Sequence, residues 1–340
     1  MRTCIAIFVS AVGFSFVLIS APGADTPAQN APLTFVRQFS SAADLKGESH
    51  PILNKTLDII AGPKEESPPP PSILQQPYAV TTDFAHRIFV TDLGSGSVHI
   101  FDFARGDHSM LHGGDHLRTP MGIAADREGN IYVSDSSLHN VLVYDAKGKF
   151  VRYLKKPQAE ESYFAVPRGI SVDPATDHIY VCDSPRHMVI VLNKRGRVLA
   201  TLGTRGGGSA PGQFKNPIQV VASEGEIAVL DQGNSRVQVL DSRGHLRREI
   251  KLANPGDRAG LAMDSQKNLY VSDPDLNRLQ VFSHEGQSLY QFGQMGNNPG
   301  QFNGITGLWV DSGHCLYTAD TKNRRVELFA IAAIASHPCL

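Results

Sequence analysis

Short stretches in which apolar and polar residues alternate recur along most of this 340-residue chain. Each unit begins with a phrase such as PMGIAADREGNIYVSD (120–135) and continues into a second alternation such as RVQVLD (236–241). Six such phrases occur, and their closing aspartates are Asp92, Asp135, Asp183, Asp231, Asp273 and Asp320. Consecutive members of this set lie 42 to 48 residues apart. Alternation with a period of two predicts β-strands, and a repeat of this length predicts four-stranded propeller blades.

The ends of the chain predict how the ring closes. The sixth repeat has no fourth strand of its own, since only ten residues follow VELFA (326–330). The segment TFVRQFS (34–40) is similar in character to the fourth strands of other repeats, such as SLYQFG (288–293). We therefore predict an all-β, six-bladed β-propeller over residues 77–331, in which an N-terminal strand within 25–40 completes the last blade. This closure removes sheet edges that would otherwise pair with other chains; an unpaired N-terminal extension is the alternative.

Three further segments lie outside the repeats. Residues 1–24 combine Arg2, an apolar run and a small-residue exit, which is typical of a secretory signal peptide cleaved between Ala21 and Ala24. This predicts export to the periplasm or the extracellular space; an uncleaved membrane anchor is the alternative. The Pro-rich connector 41–76 is expected to cross one face of the ring, and residues 332–340 form a C-terminal tail.

Composition limits the partners. The formal net charge is −1, so no bulk attraction to nucleic acid or anionic lipid is expected. We predict no nucleic-acid partner, no membrane association unless the signal segment is retained, and a monomer. Removal of the signal leaves Cys182, Cys315 and Cys339, of which the first two fall on opposite blades. Cys315 and Cys339 can pair only if the tail folds back, so stability is expected to come from the core.

The repeat phrases resemble those of the NHL-repeat family of six-bladed propellers over most of residues 77–330. Blade 2 matches the family's Pro-x-Gly start, its Asp-x-x-Gly-Asn turn and its Tyr-Val-x-Asp strand. The residues concerned are Pro120, Gly122, Asp126, Gly129, Asn130, Tyr132 and Asp135. Arg258 and Ile305 depart from this pattern at the proline, and Gln219 departs from it at the glycine.

The six closing aspartates are interpreted as structural. An aspartate at the end of a strand can accept hydrogen bonds from turn N–H groups. An arginine five residues later can bond the same carboxylate, as expected for Asp231 with Arg236, Asp273 with Arg278 and Asp320 with Arg325.

The candidate site lies where the loops that enter the first strand of each blade surround the central channel. The second residue of each first-strand phrase is expected to face this opening: Tyr78, Met121, Arg168, Ile218, Ala259 and Thr306. Arg168 carries the one charge in this set, and beside Tyr78 it could hold a carboxylate or a phosphate. A solvated arginine at a channel mouth is the alternative.

A basic outer ring is predicted on the same face, on the turns between the second and third strands. We predict eight ligand-binding residues in all: Tyr78, Met121, Arg168, Arg186, His187, Arg236, Arg278 and Arg324. Such a surface would recognise a protein, a peptide or an anionic polymer, whereas a mixed solvated surface is the alternative.

Metal binding is considered through the histidines. His108, His112 and His116 have the spacing of one helical face, but HSMLHGGDH contains two glycines and falls where a fourth strand belongs. We predict no cofactor, and zinc or calcium is kept as the alternative.

Three functions were compared. We predict a non-catalytic exported binding module, with no catalytic residue assigned. The alternative is a metal-dependent enzyme, because similar propellers include peptidyl-hydroxyglycine amidating lyases and calcium-dependent lactonases. The resemblance to the lyases implies zinc held by histidines near the channel, with arginine and tyrosine at the substrate; here Arg168 and Tyr78 occur without those histidines. Calcium ligands like those of the lactonases are not found at matching channel positions. Ubiquitin ligation is rejected because no series of Cys/His zinc-binding pairs is present.

Overall fold

The computed structural model describes residues 33–45, 72–111, 117–154, 164–253, 255–331 and 339. These residues form six four-stranded antiparallel sheets arranged as a six-bladed β-propeller, as the repeats predict. The first strands of neighbouring blades contact one another and form the inner ring. The signal-peptide prediction and most of the predicted connector fall outside the described residues. No helix among the residues described is long and apolar enough to cross a membrane.

The strands follow the repeat boundaries, because each apolar alternation ends at a turn rich in Gly, Asn or Asp. Blade 1 contains β2 (Pro77–Thr82), β3 (Ile88–Asp92), β4 (Ser97–Asp102) and β5 (Asp107–Met110). Blade 2 contains β6 (Pro120–Ala125), β7 (Ile131–Asp135), β8 (Asn140–Tyr144) and β9 (Phe150–Tyr153). Blade 3 contains β10 (Pro167–Val172), β11 (Ile179–Asp183), β12 (Met188–Leu192) and β13 (Val198–Gly203).

The other half of the ring has the same organisation. Blade 4 contains β14 (Pro217–Ser223), β15 (Glu226–Asp231), β16 (Arg236–Asp241) and β17 (Leu246–Lys251). Blade 5 contains β18 (Leu261–Met263), β19 (Leu269–Asp273), β20 (Arg278–Phe282) and β21 (Ser288–Phe292). Blade 6 contains β22 (Ile305–Val310), β23 (Cys315–Asp320), β24 (Arg325–Ile331) and β1 (Leu33–Phe39). Short 3-10 turns occupy Ala42–Leu45, Ser184–Arg186 and Gln232–Asn234.

The predicted closing strand is confirmed. β1 pairs antiparallel with β24, from Leu33 opposite Ile331 to Phe39 opposite Val326. The ring of Phe35 packs edge-on against Phe329, and Gln38 accepts a hydrogen bond of 2.7 Å from Arg325. The last blade is therefore built from both ends of the repeat region, and β1 covers the outer edge of β24.

Five of the closing aspartates, all except Asp273, accept hydrogen bonds that tie the loop entering the first strand to the end of the second strand. Asp92 accepts hydrogen bonds from the backbone N–H groups of Gln75 and Gln76, and Asp135 accepts equivalent bonds from Arg118 and Thr119. All six closing aspartates are buried.

The predicted arginine partners behave unequally. Arg236 bonds Asp231 at 2.8 Å and Arg325 bonds Asp320 at 3.1 Å, as predicted. The predicted hydrogen bond between Arg278 and Asp273 is wrong, since Nε of Arg278 lies 3.9 Å from the Asp273 carboxylate.

A disulfide joins Cys315 at the start of β23 to Cys339, with 5.8 Å between the Cα atoms. The tail therefore folds back, and Cys339 packs in the cluster that contains Phe39 and Leu74. The expectation that stability comes from the core alone is corrected, because a covalent link also holds the last blade. Cys182 is a free, buried thiol.

Glycine at the third position of the first strand allows neighbouring inner strands to approach closely. A Cβ at Gly169 would lie 2.6 Å from Cα of Gln219, and one at Gly122 would lie 2.5 Å from the carbonyl oxygen of Arg168. A Cβ at Gly307 would meet the carbonyl oxygen of Tyr78 and would lie 2.6 Å from Cα of Ala79. The obstacles are backbone atoms, so the strands themselves would have to separate.

We predict that Gly307→Ala lowers the free energy of unfolding by about 2 kcal/mol or more, because it forces blades 6 and 1 apart at the inner ring. Denaturant unfolding of the variant measures this change. Gly313→Ala is the matched control, since the nearest atom to its Cβ is Oδ1 of Asp311 at 3.3 Å. Equal stability of the two variants would contradict the close-approach interpretation.

Arg236 of blade 4 and Arg325 of blade 6 have similar surroundings, but the second carboxylate lies on a different strand in each blade. In blade 4, Arg236 pairs at 2.7 Å with Glu249 on the outer strand, while the buried Gln238 on β16 accepts a hydrogen bond from the Gly212 N–H. In blade 6, the neutral Gln38 is on the outer strand, and the buried residue on the third strand is Glu327.

Glu327 is a buried carboxylate whose Oε1 lies 3.3 Å from Nη2 of Arg325. Its Oε1 accepts a hydrogen bond from the Gly300 N–H, and its Oε2 has no hydrogen-bond partner among the described residues. Burial raises the pKa of Glu327 to about 7, although the charge of Arg325 acts in the opposite direction.

We predict that Glu327→Gln stabilises the protein at alkaline pH. The pKa is higher in the folded chain than in the unfolded one, so the contribution of Glu327 to stability is present below about pH 4.5 and is lost as the pH rises through about 7. The variant should gain up to about 3 kcal/mol at about pH 8 and less than about 1 kcal/mol at about pH 5. Unfolding curves at both pH values measure the difference.

The reciprocal change in blade 4 provides the control. Gln238→Glu introduces a buried carboxylate in the equivalent position and should destabilise the protein more at high pH than at low pH. A gain for Glu327→Gln that does not depend on pH would show that packing, not ionisation, is responsible.

Candidate functional site

The inner strands leave a central channel whose two ends differ. At the entry end, the loops that lead into the first strands and the turns between second and third strands surround the opening. At the opposite end, the turns between first and second strands form a funnel of about 320 Å³. Between them the channel narrows to a void of about 30 Å³ lined by first-strand residues that include Gly122, Ile170 and Gly307. The two ends are therefore separate surfaces.

The structure brings Arg168 and Tyr78 together across the entry end. Nη2 of Arg168 on blade 3 donates to the hydroxyl of Tyr78 on blade 1 at 3.3 Å and to the carbonyl oxygen of Asp257 before blade 5 at 2.6 Å. The other guanidinium N–H groups have no hydrogen-bond partner within the described ranges. Arg168 is half-buried and Tyr78 is buried, so the charge is held in the mouth of the channel.

The remaining channel positions offer little polar chemistry. Met121 is half-buried beside the cluster that contains Tyr78, and Ile218 and Ala259 are packed between blades 4 and 5. Thr306 is buried and donates to the carbonyl oxygen of Tyr78 at 2.9 Å. The one cation among the six positions is therefore Arg168.

The predicted outer ring contains residues in very different environments. Arg236 is 6% exposed, and its guanidinium bonds Asp231, Glu249 and carbonyl oxygens of the entry loop. Arg186 pairs with Asp183 at 3.0 Å, and His187 accepts a hydrogen bond from the Asn216 N–H. Arg278 donates to Gln291 at 2.7 Å. Arg324 is exposed.

Exposed cations that the sequence prediction did not assign to the site lie on the same face. Arg118, Lys215 and Arg258 precede the first strands of blades 2, 4 and 5. Asp257 and Asp275 are exposed acids of this face. The entry loops could have been recognised by the basic residue two positions before the proline, as in RTP (118–120) and KNP (215–217).

The histidines do not form a metal centre in the described structure. His108 lies on β5, a strand, so the helical spacing to His112 and His116 is not realised at that residue, and the other two fall outside the described residues. Nε2 of His108 lies 3.0 Å from Nδ1 of His99, and burial lowers the pKa of both imidazoles. In the part of the chain that is described, no three His, Cys, Asp or Glu side chains are placed to hold one metal.

Comparisons with known proteins agree with this architecture. Residues 164–192, which span the start of blade 3 through β12, match the NHL repeat. The chain is a six-bladed β-propeller with an NHL repeat. The solved structures of a virginiamycin B lyase from Staphylococcus aureus (TM-score 0.54, 11% identity, 77% of this chain and 82% of that chain) and of a nidogen/laminin complex (TM-score 0.56, 19% identity, 70% and 86%) share the propeller fold.

Two relatives are more similar in sequence. A probable peptidyl-alpha-hydroxyglycine alpha-amidating lyase of Caenorhabditis elegans is 30% identical over 134 residues, which are 36% of this chain and 38% of that protein. A peptidyl-glycine alpha-amidating monooxygenase of Xenopus laevis is 29% identical over 143 residues, which are 39% of this chain and 15% of that protein. The match therefore spans less than half the length of each relative.

Proposed function

We propose that this propeller is an exported, non-catalytic binding module that captures an acidic segment of a protein or peptide at its entry face. The observation that supports the proposal most directly is the position of Arg168. Its guanidinium is anchored across the channel mouth through one nitrogen, which leaves the other N–H groups for a carboxylate.

The surroundings favour a carboxylate ligand. The half-buried Met121 packs against the cluster that contains Tyr78, so an apolar side chain lies near the contact between Tyr78 and Arg168. The exposed Arg118, Lys215 and Arg258 would attract acidic side chains that flank the bound group. Arg236 is not part of the proposed ligand contact, because its hydrogen-bonding capacity serves the blade.

We expect the protein to bind a fluorescein-labelled oligoglutamate peptide in a salt-dependent manner and not to bind an oligolysine peptide. Arg168→Ala should weaken oligoglutamate binding by about tenfold or more, since a charge-assisted hydrogen bond contributes about 1.5–3 kcal/mol. Fluorescence anisotropy measures the affinity, and thermal unfolding shows whether the variant is folded. Arg195→Ala is the matched control, because it removes an equal charge from an exposed turn of the same blade on the opposite face of the propeller. It should leave binding unchanged.

Two outcomes would contradict the proposal. Equal affinity of the wild type and Arg168→Ala would place the contact elsewhere on the basic face. Tight binding of heparin without binding of oligoglutamate would identify an anionic polymer, not an acidic peptide, as the ligand.

The second candidate is lyase chemistry, favoured by the names of the relatives and by an arginine and a tyrosine in contact at the channel. Purified protein should be incubated with a peptidyl-α-hydroxyglycine, with and without added zinc or calcium. The binding-module proposal expects no peptide amide above the uncatalysed level. Metal-dependent amide formation that Tyr78→Phe abolishes would instead establish the enzyme.

Export is supported by the signal-like residues 1–24 and by the Cys315–Cys339 disulfide, since disulfides persist in oxidising compartments. We expect mass spectrometry of the exported fraction to find a mature N-terminus between residues 22 and 25 and an intact bridge. A protein confined to the cell with both cysteines reduced would exclude export.

A further inference from the structure

The funnel at the opposite end of the channel belongs to no function considered so far. Residues of all six blades line it, at the points where the first strands turn into the second strands. Its volume of about 320 Å³ is in the range of small-molecule pockets. A mouth formed jointly by every blade is set by the closed ring and not by the conformation of one loop.

The wall of the funnel is apolar and includes the single tryptophan of the chain. Trp309 lies on β22, and its Nε1 donates to Oγ1 of Thr82 at 2.9 Å, which fixes the indole between blades 6 and 1. The same residue lines the narrow void above, so it forms the floor of the funnel. Met263 contributes to the wall from blade 5, and Phe84 stands at the rim with 59% of its surface exposed.

The charged lining residues are mainly acidic: Asp83, Asp126, Asp264 and Asp311, against Arg127. Two of the carboxylates are neutralised nearby, because Asp83 pairs with Arg87 and Asp126 pairs with Lys194.

The other two carboxylates, Asp264 and Asp311, have no cationic partner among the described residues. Asp264 accepts hydrogen bonds from Asn268 and from the hydroxyl of Tyr270. Asp311 accepts hydrogen bonds from the Cys315 N–H and from the hydroxyl of Tyr317. These donors are neutral, and neither carboxylate forms an ion pair within the described structure. The negative charge is thus concentrated on blades 5 and 6, the same side as Met263 and Trp309.

We propose that the funnel binds a small organic cation with an apolar body. The apolar part would lie against Trp309 and Met263, and the ammonium group would lie toward blades 5 and 6. A cation is favoured over a neutral or anionic molecule because the carboxylates create a negative potential in a recessed, low-dielectric mouth. An indole face adds attraction for the same charge. This site does not depend on the proposed capture of acidic segments, which takes place at the entry face.

The test uses three ligands of one shape: phenylbutylamine, phenylbutanol and phenylbutyrate. Because Trp309 is the only tryptophan, its fluorescence, excited where tyrosine does not absorb, reports on the funnel directly. We expect a saturable change with the amine, and an affinity at least about tenfold higher than that of phenylbutyrate, which corresponds to about 1.4 kcal/mol. The alcohol should be intermediate.

Two variants test the contribution of charge. Arg127→Glu changes an exposed lining residue in the Asp126 turn and leaves all four lining carboxylates in place, and it should strengthen amine binding several-fold. Asp311→Asn should remove much of the preference for the amine. Asp145→Asn is its matched control, because Asp145 accepts the same kind of turn hydrogen bonds but does not line the funnel.

Three results would overturn the proposal. Binding of the alcohol as tightly as the amine would show an apolar pocket without charge selection. Preference for phenylbutyrate would reverse the assigned sign. An unchanged Trp309 signal with all three ligands, confirmed by calorimetry, would show that the funnel takes no ligand of this class, whatever binds at the entry face.

Discussion

The buried carboxylate at the end of each second strand is the interaction on which the ring depends. A propeller blade must bring an irregular loop from its outer strand back to the inner strand of the next blade, and that loop carries backbone N–H groups that need partners. Asp92 and Asp135 are buried, and each accepts hydrogen bonds from two consecutive backbone N–H groups of such a loop. A carboxylate suits this role because it accepts several bonds at once, and bonds to a charged acceptor are stronger than neutral ones.

The inner ring adds a second constraint, which is steric. The carbonyl oxygen of the second residue in a first strand accepts a hydrogen bond from a hydroxyl of the preceding blade. Ser272 donates to the Thr306 carbonyl at 2.8 Å, and Thr306 donates to the Tyr78 carbonyl at 2.9 Å. That approach brings the backbones too close for a side chain, which explains glycine at four of the six third positions. Ala79 and Gln219 are the exceptions. Gly307 lies against Cα of Ala79, and Gly169 lies against Cα of Gln219. A side chain therefore fits at Ala79 and at Gln219 because the facing residue of the neighbouring blade is a glycine.

The fold was predictable from the sequence because each of its determinants is local and repeated. The closing strand was recognisable because TFVRQFS has the alternation of an outer strand and the sixth repeat lacks one. The Cys315–Cys339 bridge was not predictable, since nothing local to the tail shows that it returns to β23. The contact of Arg168 with a backbone carbonyl of Asp257 was likewise hidden, because it joins blades 3 and 5 through an atom that every residue possesses. The funnel was not predictable from the sequence for a related reason: its residues lie in the turns between first and second strands, at positions that the repeat leaves variable.

The carboxylates of the funnel and the exposed cations of the entry end follow from the roles of the segments that form them. Turns between first and second strands need a residue that accepts N–H groups within a tight turn, and Asp126, Asp264 and Asp311 meet that need while also receiving a tyrosine hydroxyl. These turns therefore accumulate carboxylates for structural reasons. At the entry end the structural carboxylates are buried beneath the loops and balanced by Arg236 and Arg325, so the exposed surface is left to residues such as Lys215 and Arg258. The funnel carboxylates are thus a by-product of blade construction. Under the two proposals, a ligand at either end would use charges that the fold already positions, and only the few side chains that give each end its shape, such as Trp309 or Tyr78, would have to be adjusted.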